Sequence, residues 1–157
     1  MNSDERKDEG EVSHRRRENF YANLLYKVGK MVAQSQIYLN HAPRHERHAL
    51  CQSIRVAQVE LLNLVTSCRK YPRLDAVRDL DVKHEQLRQM WRLFYDLGYF
   101  AYRKNQKEEN AENEAVRRFA TMNVAINEIG GMIGGLVKAE RRRLNELRKR
   151  KAEGKDV

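Results

Sequence analysis

Arginines and tyrosines alternate along one side of the third predicted helix, and these residue types suit nucleic-acid binding. The series consists of Arg88, Arg92, Tyr95, Tyr99 and Arg103. Guanidinium groups pair with phosphates and tyrosine rings stack on unpaired bases, so this ribbon fits RNA. The alternative for any one residue is a solvated arginine beside a tyrosine that borders the core. For the surface as a whole, the excess of positive charge favours a polyanion or an acidic protein partner.

A second basic cluster lies where the second predicted helix ends. It consists of Arg69, Lys70 and Arg73, on either side of Pro72. These side chains could extend the ribbon of the third helix and bind the same partner. The basic segment after residue 138 could also bind this partner, or it could simply increase the solubility of the protein.

The sequence contains only weak indications of a metal site or a catalytic site. Di-iron bundles need inward-pointing Glu-x-x-His pairs, and the nearest match, Asp81-x-x-His84, occurs once. A histidine satisfied by a neighbour in the core is the better interpretation of His84. The sequence contains no recognisable pattern of a catalytic nucleophile with its general base, and no Gly-rich phosphate-binding loop after a predicted strand. We therefore predict that the protein is not an enzyme and uses no cofactor.

One further group of metal-ligand residue types occurs in the bend around Pro43. Its members are His41, His45, His48 and Cys51. Their spacing matches no common zinc pattern, and the interleaved Arg44 and Arg47 would repel a cation. We predict no metal site here.

Composition narrows the class of protein. The chain has 157 residues, with 31 Lys and Arg against 22 Asp and Glu, for a formal net charge of +9. Its 2 Cys and 2 Pro argue against a disulfide scaffold and against a many-stranded sandwich. No apolar run approaches the ~20 residues of a membrane span, and the first residues lack the apolar core of a signal peptide. These features predict a cytoplasmic protein with no membrane partner.

The elements that must position the basic residues are four long helices. Pro43, Pro72 and the polar stretch 104–111 divide the middle of the chain into four segments. In each segment, apolar or small residues recur in steps of three and four, as on one buried face of a helix. The four stripes are Phe20, Leu24, Val28, Met31, Ser35 and Tyr38; Leu50, Ile54, Ala57, Leu61, Leu64 and Cys68; Leu80, His84, Leu87, Trp91, Phe94, Gly98 and Ala101; and Ala115, Phe119, Met122, Ile126, Ile129, Ile133 and Leu136. They predict an all-α, antiparallel up-down-up-down four-helix bundle over residues 15–138.

Both ends of the chain differ from this middle in charge. Residues 1–14 have 2 basic and 5 acidic side chains and almost no apolar ones, which predicts a disordered acidic leader. Residues 138–151 have 8 basic and 2 acidic side chains. Good helix formers predict that residues 139–157 extend the last helix as a basic tail, which frays after Ala152.

Four glycines in the last predicted helix indicate a close approach of another backbone. Gly130, Gly131, Gly134 and Gly135 each cost about 1 kcal/mol relative to Ala in a helix interior. Paired at i and i+4, they form a smooth strip on which a second helix can pack. That helix could belong to the same bundle or to another subunit, and the strip is our candidate for subunit packing.

Three stretches resemble a known family. They are IRVAQVELLNLVTSCRKY (54–71), LDVKHEQLRQMWRLFYDLGYF (80–100) and AINEIGGMIGGLVK (125–138). In these stretches the chain resembles the accessory variability determinant proteins of diversity-generating retroelements. That family is similar in fold to the four-helix proteins encoded by intervening sequences of bacterial 23S ribosomal RNA genes.

The resemblance implies a homopentamer of four-helix bundles with a basic surface. It implies that the protein binds the retroelement's reverse transcriptase and its structured template RNA, and so supports mutagenic cDNA synthesis without being the polymerase. The implied contacts with RNA or transcriptase fall first on Arg88 and Arg92, and then on Arg55, Arg69 and Lys70. The alternative is a protein of the ribosomal intervening-sequence type, which binds RNA without a transcriptase partner.

Overall fold

The structure, a computed structural model, describes the backbone of residues 3–154 and the side chains of residues 10–154. This described part is all-α apart from one short hairpin. Its four long helices are α1 (Ser3–His41), α2 (Leu50–Lys70), α3 (Leu74–Asp96) and α4 (Glu112–Ala152). Short 3-10 helices, Arg44–Glu46 and Tyr99–Ala101, lie in two of the connections. The predicted four-helix architecture is therefore confirmed.

Each helix packs against two others. Helix α1 contacts α2 and α4, and α3 contacts the same two helices. Ion pairs link the neighbours on the outside: Glu18 with Arg69 between α1 and α2, Lys83 with Glu60 between α2 and α3, and Lys27 with Glu128 between α1 and α4. The four helices thus enclose a single core.

The predicted stripes form that core. Leu61, Leu87, Trp91 and Ile126 are fully buried, as are most other members of their stripes. The first stripe is off by one residue at its start, because Tyr21 is fully buried and Phe20 is 36% exposed. An aromatic cluster closes one end of the core, where Phe100 contacts the rings of Tyr38, Trp91, Phe94, Tyr95 and Phe119.

The polar break before α4 contains a hairpin that the sequence analysis did not predict. Strands β1 (Tyr102–Arg103) and β2 (Gln106–Lys107) pair antiparallel around Lys104 and Asn105. Both turn residues have positive φ, 49° and 66°, as a two-residue hairpin turn of type I′ requires. The backbone N–H of Lys104 donates to His41 Nδ1 at 2.9 Å, and that of Asn105 donates to the His41 carbonyl at 3.2 Å. The hairpin therefore caps the end of α1.

The N-terminal segment is helical where the sequence predicts disorder, whereas the C-terminal segment is helical as the sequence predicts. Residues 3–14, where the sequence predicts a disordered leader, are the first turns of α1 in the structure, and the side chains of residues 10–14 are exposed. Helix α4 continues through the basic tail to Ala152, as predicted. Residues 1–2 and 155–157, where parts of both predictions fall, lie outside the described residues.

Two glycines allow a test of these helix boundaries. Gly29 lies inside α1, and a Cβ added there would meet no atom within 4 Å. We expect Gly29→Ala to raise the free energy of unfolding by about 1 kcal/mol, because alanine loses less backbone entropy in a helix. Gly98 follows α3 with φ of +76°, so Gly98→Ala should lower that free energy by about 1–2 kcal/mol. Urea titration of the three proteins measures both changes. Effects of equal sign would contradict these boundaries.

Candidate nucleic-acid interface

The cluster at the end of α2 is exposed on the surface, as a binding site requires. Arg69 Nε donates to Glu18 Oε2 of α1 at 3.0 Å, which fixes the direction of its guanidinium group. Lys70 and Arg73 are exposed, and neither forms an ion pair with any residue that the structure describes. Two positive charges beside the turn at Pro72 are therefore available to a ligand.

Helix α4 brings further arginines to the same place. Arg143 donates through Nη2 to the carbonyl of Pro72 at 3.0 Å and through Nε to Glu140 at 3.0 Å. Glu140 is only 4% exposed, so its carboxylate depends on this partner for compensation of its charge. The pair attaches the extension of α4 to the turn between α2 and α3. At this end of the core, desolvation by burial, followed by the charges of Asp79 and Glu140, raises the pKa of Cys68 to about 11.

Residues 13–18 of α1 complete this surface. Arg17 lines a groove with Arg69 and Lys70, and it lines a second groove with Arg142 and Arg143. We name the whole surface the basic end. It consists of Arg16, Arg17, Arg69, Lys70, Arg142 and Arg143, together with the exposed Arg73, which directly follows Pro72 in the chain. Among the described residues, only Arg69 and Arg143 of this set are in ion pairs. The other five cations make the basic end a strong attractor of polyanions.

Sequence reasoning missed Arg16, Arg17, Arg142 and Arg143 as members of one site. Part of the signal was present, since the charge count had marked residues 138–151 as basic. It gave no reason to join Arg142 and Arg143 to Arg16 and Arg17, which closely follow an acidic leader, because a linear charge count does not show that this part of α1 lies beside the end of α4.

The ribbon of the third helix is less continuous than its spacing predicted. Helix α3 ends at Asp96, so Tyr99 lies in a 3-10 helix and Arg103 in β1. Arg92 is well exposed and pairs with Asp96 at 3.1 Å. Tyr95 is half-buried, with its ring stacked on Phe119 at a centroid distance of 4.3 Å.

Tyr99 and Arg103 differ in their surroundings. The Tyr99 hydroxyl donates to Glu46 at 2.6 Å, and burial together with this bond raises its pKa to about 12. Arg103 is exposed. In the free chain, the tyrosine rings of the ribbon are thus used mainly in packing, and its exposed cations are Arg92 and Arg103.

Arg88 lies at the contact between α3 and α4. Its guanidinium group donates to the Asn127 side chain and pairs with Glu85 at 3.1 Å. A Cβ on Gly130 would lie 2.9 Å from Arg88 and 2.8 Å from the ring of His84, so this glycine makes room for both side chains. The close approach predicted for Gly130 is therefore one between helices of the same chain.

The remaining glycines and Arg55 face outward. Cβ atoms added to Gly131, Gly134 or Gly135 would meet no described atom within 4 Å, so there is open space above this part of the strip, and Gly135 also lines the groove of the basic end that contains Arg16 and Arg17. Arg55 donates to Asn40 Oδ1 of α1 at 2.8 Å and is half-buried. It lies toward the end of the bundle opposite the basic end.

The histidines that the sequence analysis considered as ligands are separately engaged. His41 accepts the bond from Lys104, and His45 is exposed beside Glu46. Within residues 10–154, no three His, Cys, Asp or Glu side chains come together in a way that could hold a metal ion. His84 is buried, with Nε2 donating to the Ile126 carbonyl at 2.8 Å, which is the core role predicted for it.

Comparisons with protein-family models, with curated proteins and with solved structures found no match to this chain. The helices of the described part are all too polar or too short to cross a lipid bilayer.

The burial of His84 predicts a dependence of stability on pH. Desolvation lowers its pKa below the ordinary value of 6.5, and the nearby Arg88 acts in the same direction. The unfolded state therefore takes up the proton first as the pH falls. We expect the free energy of unfolding to be fully retained above pH 6.5 and to decrease below it.

Urea titrations between pH 7.5 and 5.5 measure this loss. His84→Gln should flatten the dependence, whatever its effect at neutral pH. His48→Gln, at an exposed position, should leave the dependence unchanged. A wild-type stability that stays constant over this interval would show that His84 is not desolvated.

Proposed function

We propose that this chain is a non-catalytic accessory protein of a diversity-generating retroelement. In this proposal it binds the reverse transcriptase and the structured template RNA through its basic surface and supports mutagenic cDNA synthesis in the cytoplasm. The family resemblance of residues 54–71, 80–100 and 125–138 suggests the biological role. The observation that carries the RNA-binding part is the basic end, where five cations have no ion-pair partner among the described residues.

The charges of the basic end favour RNA over an acidic protein. Of its two ion pairs, Glu18 with Arg69 joins α1 to α2 and Glu140 with Arg143 lies within α4, while the other five cations have no ion-pair partner among the described residues. Solvated cations spread over three helices suit a phosphate backbone, which offers regularly spaced charges and releases counterions on binding. In this proposal the exposed Arg103 and Arg92, the latter paired with Asp96, lie toward the other end of the bundle and contact the transcriptase.

The proposal includes a defined arrangement of helices and subunits. Glu18 pairs with Arg69, and Arg55 bonds to Asn40, which supports an antiparallel α1 and α2 and an up-down-up-down order. Self-association would use the open glycines Gly131, Gly134 and Gly135, on which a helix of another subunit can pack closely. The resemblance suggests five subunits in this assembly.

Crosslinked affinity capture of the tagged protein from its own cells tests the proposed function. We expect a reverse transcriptase and one short noncoding RNA to be recovered with the wild type. The double variant Lys70→Gln, Arg73→Gln should lose most of the RNA, because two phosphate contacts disappear, and its salt dependence of RNA binding should be shallower by about 1–2 units in log–log slope.

The control is a double variant that lowers the net charge by the same amount at positions outside the basic end. In Lys30→Gln, Lys107→Gln both replaced residues are exposed and lie outside the basic end. This variant should retain the RNA. Ribosomal RNA fragments without a transcriptase would instead support the intervening-sequence type of protein. Recovery of no RNA with the wild type would refute RNA binding.

Gly134→Leu tests the proposed subunit contact. Because a Cβ at this position meets open space within the chain, leucine should leave the fold of the subunit intact. It should overfill the strip and reduce assembly. Light scattering measures the mass and circular dichroism the helix content. An unchanged oligomeric mass would exclude this face from the subunit contact.

A further inference from the structure

A groove lies at the basic end between residues 14–18 of α1 and the end of α2. Its volume is about 740 Å³, within the range of about 300–1,000 Å³ that is typical of small-ligand sites. The residues that line it include the cationic Arg17, Arg69 and Lys70 and the aromatic Tyr71. Glu18, the acidic residue on the wall, is already paired with Arg69 at 3.0 Å.

Tyr71 is unusual among the aromatic residues of this chain. Its side chain is 70% exposed, more than that of any other large apolar or aromatic residue that the structure describes. The other well-exposed tyrosine, Tyr26, has Lys30 above its ring at 5.5 Å, whereas no described aromatic or cationic side chain contacts the Tyr71 ring. The ring of Tyr71 therefore has free faces.

The backbone that carries this ring is nevertheless held on both sides. The N–H of Tyr71 donates to the Ser67 carbonyl at 2.9 Å, and the carbonyl of the following Pro72 accepts from Arg143 at 3.0 Å. An exposed aromatic ring on an anchored backbone loses little conformational freedom when a ligand binds to it.

The cations beside the ring are placed for phosphates. Lys70 precedes Tyr71 in the chain, and Arg17 reaches the groove from α1. Neither forms an ion pair with a described residue, whereas Arg69 is oriented by Glu18. An aromatic face flanked by free cations is the combination with which proteins hold single-stranded nucleic acid, because the base stacks and the phosphates pair.

We propose that this groove holds one unpaired nucleotide of RNA, with its base stacked on Tyr71 and its flanking phosphates on Lys70 and Arg17. This inference rests on the proposed function and makes it more specific: the basic end selects a loop or a single strand over a duplex. Bases inside a duplex are already stacked on their neighbours, so the ring gains nothing from them.

Fluorescence polarisation with two labelled RNAs tests this proposal. One is an unstructured single strand of about 12 nucleotides, and the other is a duplex of the same length. Tyr71→Ala should weaken binding of the single strand by about 5- to 150-fold, which is the usual effect of losing one stacked base. Binding of the duplex should change by less than about twofold. Tyr71→Phe, which keeps the ring, should bind the single strand as the wild type does.

Tyr26→Ala is the matched control, because Tyr26 is 59% exposed but lies outside the groove. It should leave both affinities unchanged. Equal losses for single strand and duplex in Tyr71→Ala, or wild-type affinity for the single strand, would overturn the proposal. So would a loss of binding in Tyr71→Phe, since it would assign the role to the hydroxyl group.

These results separate the two levels of inference. If the wild type binds RNA and Tyr71→Ala has no effect, the nucleotide site is wrong and the proposed function stands. If the wild type binds neither the single strand nor the duplex, the nucleotide site and the RNA-binding part of the proposed function are both wrong.

Discussion

Burial of one apolar face of α3 is the constraint on which the rest of the structure depends. Leu80, Leu87, Trp91 and Phe94 are fully buried, and they belong to the helix that packs against both α2 and α4. Most of the stability of a helix in a protein comes from the packing of its apolar face, so this burial is what holds the 23 residues of α3 in place. It also determines which α3 residues remain outside, and Arg92 is one of them.

The same packing decides which arginines are available to a partner. Arg88 is adjacent to the core stripe and is drawn into the α3–α4 contact, where Gly130 leaves room for it and Asn127 bonds to it. Arg69 and Arg143 are held by acidic residues of their own chain. Available charge is therefore concentrated where three helix segments meet, and the ion pairs there maintain the arrangement of the neighbouring free cations.

The pair of Glu140 and Arg143 shows how a local contact links fold and site. Removing a carboxylate from water is costly unless a cation compensates it. Arg143 provides this compensation and also bonds to the Pro72 carbonyl. Through these bonds the extension of α4 is fixed beside the turn that carries Tyr71. The position of the groove therefore depends on the position of this extension.

The sequence by itself determined the helical stripes and the positions of most breaks, because three-and-four spacing and proline act locally. It also identified the basic character of the segments around Arg69 and after residue 138, and the core role of His84. Only the tertiary structure decided that these segments meet with Arg16 and Arg17. It also decided that Gly130 contacts α3, whereas Gly131, Gly134 and Gly135 are open. Likewise, it decided that the ring of Tyr95 is stacked while that of Tyr71 is exposed. The physical reason is that exposure and charge proximity depend on contacts between residues far apart in the chain, such as those of Arg143 with Pro72 and of Lys104 with His41.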